Sequence, residues 1–153
     1  MSVVSIPSLG PLANATPSAS KVEWFYITST VTQGDWVIPD NASPFSSTGA
    51  YGPCGVKTSA ATANKMPVGV VYMEGGVAGT TTYVGTTSAP IPVRVVTWGY
   101  CPSAKVNAGV ADGDSLSLEA TAGSATTASA ATFPYCGRAL AAASSTQAPV
   151  WVK

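Results

Sequence analysis

Asp112, Asp114 and Glu119 place three carboxylates around Gly113, the nearest this chain comes to a metal-binding loop. A calcium loop needs more oxygen ligands and a late glutamate, and Glu119 comes too early for that role. A thiolate or imidazole metal site fits no better. The chain has no histidine, and Cys54, Cys101 and Cys136 are widely spaced. The missing histidine also removes the usual general base at neutral pH. A serine or cysteine nucleophile would then need a lysine or carboxylate to activate it. The Gly-x-Ser-x-Gly turn that presents such a serine is absent. Of seven acids, Asp35, Asp112 and Asp114 sit at or beside Gly-Asp turns, which leaves few carboxylates to pair across a glycosidic bond. The sequence therefore predicts no catalytic residue, no metal ligand set and no cofactor. The remaining chemistry is contact. Tyr51, Tyr83, Trp98 and Tyr100 are aromatics suited either to stacking on sugars or, by default, to core and subunit packing.

The elements that carry these residues repeat. Val31-Thr32-Gln33-Gly34-Asp35-Trp36-Val37 and Val110-Ala111-Asp112-Gly113-Asp114-Ser115-Leu116 share the pattern V-x-x-G-D-x-(V/L). Glycine permits a positive φ in a tight turn, and an adjacent aspartate accepts bonds from nearby backbone donors. Gly34, Asp35, Gly113 and Asp114 are thus read as structural turns. Each copy is followed by a small-residue loop, then by a glycine in a short apolar run (Gly69 and Gly137), and last by a proline-led strand.

The clearest strand covers residues 22–28, Val-Glu-Trp-Phe-Tyr-Ile-Thr, with large side chains on both faces. Bulk on two sides implies that core covers one face and a loop, the arm or a neighbour covers the other. Further strands are expected at 31–38, 66–73, 80–84, 91–98, 137–143 and 150–152, and residues 106–118 carry the second Gly-Asp pair. Ser, Thr, Gly and Ala dominate 41–64 and 121–132, which read as loops. No amphipathic helix of three turns is present. The predicted class is all-β: a compact barrel or sandwich of short strands with a duplicated strand, Gly-Asp turn, strand unit. Residues 21–153 form one domain, and residues 1–20 form an extended arm. The arm holds Pro7, Pro11 and Pro17, yet keeps Val3, Val4, Ile6, Leu9 and Leu12, more aliphatic bulk than a plain linker.

Only 9% of residues are charged, and the net charge is zero. Nucleic acid demands clustered cations, and here they are scattered, so a nucleic-acid partner is not expected. No apolar run spans a bilayer, and no cationic leader precedes an apolar segment. The odd cysteine count reads as free thiols packed as small hydrophobes, with a Cys54–Cys101 or Cys101–Cys136 bridge left open.

The segment from Trp98 through 108–118, then 137–143 and 150–152, resembles the capsid decoration (head-stabilising or cement) proteins of tailed bacteriophages. The shared pattern is a Gly-Asp turn before a strand, a small-residue loop, Gly-x-Ala leading into an alanine-rich step, and a closing V-x-V. Residues 31–37 and 69–71 look like the matching first copy. The resemblance implies a non-enzymatic protein on the outer capsid surface of a virion, assembled in the host cytoplasm. It implies the major capsid protein and other copies of the chain, as a homotrimer, for partners. Val3, Val4, Ile6, Leu9, Leu12, Phe45 and Tyr51 are then the expected capsid or subunit contacts. The reading from another class is a carbohydrate-binding or adhesin-type β module.

Overall fold

The computed structural model describes residues 20–42, 54–59, 66–73, 77–128 and 135–153. The regular elements among them are all strands: β1 (Ser20–Ile27), β2 (Thr30–Thr32), β3 (Trp36–Pro39), β4 (Val56–Thr58), β5 (Gly69–Val71), β6 (Thr82–Val84), β7 (Ile91–Lys105), β8 (Ser115–Leu118), β9 (Ala125–Thr127), β10 (Tyr135–Ala139) and β11 (Gln147–Val152). The all-β expectation holds, in the form of a curled antiparallel sheet. Its order is β4-β3-β5-β7-β11-β10-β8-β9, with β1 also paired to β7, while β2 and β6 make a separate ribbon.

The long strand β7 is the spine. Val96 has Val22 on one side and Val70 on the other, and Gly99 has Ser20 and Val152. So β5 and β11 follow one another along one edge of β7, while β1 lines the opposite edge of its first part. Pro102 and Pro149, which have no N–H to donate, fall where the β7–β11 register shifts between Ala148 and Val150. That placement lets β7 run on through Lys105, past the end expected near Trp98.

The repeated motif is a repeated structure, bond for bond. Val37 opposes Gly69 and Thr58, as Leu116 opposes Gly137 and Thr127. The Gly34 N–H donates to the Val71 carbonyl and the Val71 N–H to the Asp35 carbonyl; Gly113, Ala139 and Asp114 repeat this. The Ser59 N–H donates to Trp36, as the Ala128 N–H does to Ser115. Each half curls until its outer strands meet at a single parallel bridge, Tyr26 with Gly55 and Val106 with Ala125. In this pairing the last part of β7 holds in the second unit the place that β1 holds in the first. The strand that ends the first unit therefore also begins the second.

Alternation sends the two faces of the shared strands into two cores. Val37, Val71, Val93 and Val95 join Ile27, Val31 and Val56 inside the first unit. Trp36, Val70, Tyr72 and Val96, on the opposite face, join Val110, Leu116, Ala125, Ala139 and Val150 of the second. Two-sided burial is why 36–38 and 68–71 read as continuous apolar runs.

Several sequence expectations need correction. Residues 31–38 are not one strand, because the turn at 33–35 divides β2 from β3. The loops expected at 41–64 and 121–132 contain β4 and β9. These strands are three residues long, and each places a small side chain, Val56 or Ala125, at full burial. So short a ladder leaves no periodicity to read. The strand expected at 66–73 narrows to β5.

Candidate functional site

Both Gly-Asp pairs build the same turn. Gly34 and Gly113 hold φ at 84° and 80°. The Asp35 N–H donates to the Thr32 carbonyl, and the Asp114 N–H to Ala111. The aspartate side chains close the loop in return: Asp35 Oδ2 accepts from the Thr32 N–H at 2.7 Å, and Asp114 Oδ2 from the Ala111 N–H at 2.8 Å. These residues act as turns, with positive φ at the third position as in a type II turn.

Their surroundings differ sharply. The Asp35 side chain is only 5% exposed and takes the Lys105 ammonium on Oδ1 at 2.6 Å. Asp114 lies near the surface and accepts from the Thr127 hydroxyl at 2.7 Å. The bonds from Ala111 and Thr127 hold its carboxyl below the ordinary aspartate value of 3.8. Glu119 accepts from the Asn107 amide at 2.9 Å, so Asp114 and Glu119 of the suggested carboxylate trio are drawn to different partners. No group of three His, Cys, Asp or Glu able to hold a metal occurs among the described residues.

Cys54 is exposed, while Cys101 and Cys136 are buried, and all three are free thiols. Burial pushes both buried thiols up to about 12, which leaves them without thiolate at neutral pH. Ser18 and Lys21 stand at Ser-x-x-Lys spacing. Ser18 lies outside the described residues, and Lys21 pairs with Glu23 at 3.0 Å on the surface.

Two surface features remain. The first is a groove of about 420 Å³ lined by Trp24, Tyr72, Met73, Tyr83, Pro92, Val93 and Arg94. Trp24 and Arg94 are cross-strand partners on β1 and β7 and therefore share a face. The Arg94 guanidinium lies 5.3 Å from the centre of the Tyr72 ring, and its Nε–H is buried with no hydrogen-bond partner among the described residues. Trp24 is 64% exposed in the single chain.

The second feature is the outer face of the second unit. In the first unit the face bearing Trp36, Val70 and Val96 is buried. The register-equivalent residues in the second are Ser115, Arg138 and Trp151, two exposed and one half-buried. Trp98 meets Trp151 edge to face, with centroids 5.2 Å apart, and remains 51% exposed; Tyr135 is 53% exposed.

Val3, Val4, Ile6, Leu9, Leu12, Phe45 and Tyr51, the expected contact residues, lie outside the described residues. Of the sugar-stacking candidates, Tyr83 lines the groove, whereas Trp98 and Tyr100 belong to the part of β7 beyond it. Sequence reasoning missed Trp24 and Arg94. The available signal was the unexplained second face of the aromatic strand. Compared with known proteins, the chain matches no family model, and no curated protein aligns with it significantly.

Proposed function

We propose that this chain is a capsid decoration protein: a non-enzymatic clamp that binds the outside of a tailed-bacteriophage shell and bridges capsomers. The observation that carries the reading is the duplication. The motif that prompted the resemblance is the framework of both units, and its aspartates are occupied in holding turns. The rest of the described molecule supports a contact role. Charged residues are sparse, and large aromatics (Trp98, Tyr135) stand on an outer face whose twin is buried. Many weak contacts by copies on one shell add through effective concentration. In this reading the major capsid protein and other copies of the chain, as a homotrimer, are the partners, and residues 1–20 dock on one of them.

The test first asks whether a major capsid protein is encoded next to this chain, and then uses shells assembled from that protein. The full chain should co-sediment saturably with the shells and raise the temperature at which they rupture. Removing residues 1–20 should lower occupancy. Absence of co-sedimentation at saturating protein would overturn the proposal.

A second reading, a carbohydrate-binding module, is favoured by the Trp24, Tyr83 and Arg94 groove. It makes no demand on a shell.

A further inference from the structure

The described residues that line the groove include one cation, Arg94, and no acid. The other walls are apolar or aromatic: Trp24 from β1, Tyr72 and Met73 after β5, Tyr83 from β6, and Pro92 on β7. Three strands meet here because β1 and β5 flank β7 and the β2–β6 ribbon closes the end. A site of this kind fixes a ligand by one directed polar contact and holds it by apolar faces. An arginine fork matches a carboxylate with two parallel N–H donors. Here the ring of Tyr72 supports the guanidinium from one side. The indole of Trp24, mostly exposed on the same face, offers a flat apolar surface beside that charge.

We infer that this groove binds a carboxylate-bearing sugar, with the acid group on Arg94 and the apolar ring face on Trp24 and Tyr83. The inference rests on the carbohydrate-binding reading above and is independent of the capsid reading. It adds a charge requirement to that reading, and so predicts that neutral sugars bind more weakly than acidic ones.

The probes are methyl β-D-glucuronide, its neutral counterpart methyl β-D-glucoside, and benzoate as a carboxylate without a sugar. The full chain is labelled with ¹⁵N, and the four tryptophan indole N–H signals are followed during titration. Trp24 is assigned by its loss in Trp24→Ala, a surface change that leaves the cores untouched. The glucuronide should shift the Trp24 signal saturably. Binding should weaken roughly tenfold or more in Arg94→Gln, down to the level of the glucoside, as expected when a charge-assisted fork is lost. Trp24→Ala, read by saturation-transfer signals of the sugar, should weaken both sugars. Equal binding of glucuronide and glucoside would overturn the charge requirement and leave the sugar reading standing. Binding of neither sugar would overturn both, and binding of benzoate more tightly than the glucuronide would overturn the sugar reading and with it the proposed ligand.

Discussion

Asp35 and Asp114 occupy the same place in the same turn, yet folding asks different things of them. Asp35 is enclosed, and it holds both the Thr32 N–H and the Lys105 ammonium. Asp35→Ala leaves the part-buried Thr32 N–H without its side-chain acceptor and the partly exposed Lys105 without its partner, so it should cost about 1–3 kcal/mol of unfolding free energy. Asp114→Ala should cost clearly less, because water replaces its partners, and its contribution should depend on pH. Folding lowers the Asp114 pKa below 3.8, chiefly through the Ala111 N–H and then the Thr127 hydroxyl. Its stabilisation is therefore complete above the unfolded-state value and is lost as pH falls through the folded-state value. Urea unfolding of both variants and the parent, from neutral pH into the acid range, checks this. The Asp114→Ala deficit should vanish at the acid end; equal losses for the two variants at neutral pH would contradict the assignment. The turn role of these residues was legible in the sequence, since glycine before aspartate has a local meaning. The difference between them was not, because Lys105 reaches Asp35 across seventy positions of chain.

Among the elements, the paired strands β5 and β10 show how the duplication constrains side-chain size. A Cβ added to Gly69 would land on the carbonyl oxygen of Val96, and one on Gly137 on that of Trp151. Both obstacles are backbone atoms of the neighbouring strand and cannot swing aside. Gly69→Ala and Gly137→Ala should each destabilise by about 1–3 kcal/mol or more, as overpacking does. Gly109→Ala, which would meet only Asn107 Oδ1 at 3.7 Å, should stay within about 0.5 kcal/mol of the parent. Denaturant unfolding of the three variants measures this ranking. Both glycines stood out in sequence as interruptions of apolar runs, and a close approach of backbone is the usual reason for such a glycine. The short strands β4 and β9 were hidden, because their role is to close a curl through backbone bonds. The Gly123 N–H donates to Ser59, and the Trp36 N–H to Gly123, so the edges of the sheet meet at a loop that composition alone marks as featureless. The groove was hidden for a related reason. Trp24 and Arg94 are far apart in sequence, and only the β1–β7 register sets them side by side.

At the scale of the molecule, the sharing of β7 means that neither unit is closed without the other's strand. The second unit begins inside the strand that completes the first, and the side chain of Trp36 from the first donates its indole N–H to Lys105 of the second, at 3.0 Å. Sequence disclosed the twofold plan through the repeated motif, but not this overlap, since a strand that serves two units carries no boundary signal. The same strand governs where the polypeptide enters and leaves. Ser20 and Val152 flank Gly99 on opposite sides, so they stand two strand spacings apart, roughly 10 Å. A few-residue linker spans that gap. A circular permutant that joins these positions and opens the exposed bend at Asn107–Gly109 should therefore keep the parent's β-rich circular dichroism and a similar melting temperature; loss of either would refute this placement. The adjacency also sets the end of β11 close to the start of β1. A bulky fusion at Lys153 therefore crowds the beginning of β1, so a reporter of docking belongs at the far end of the molecule.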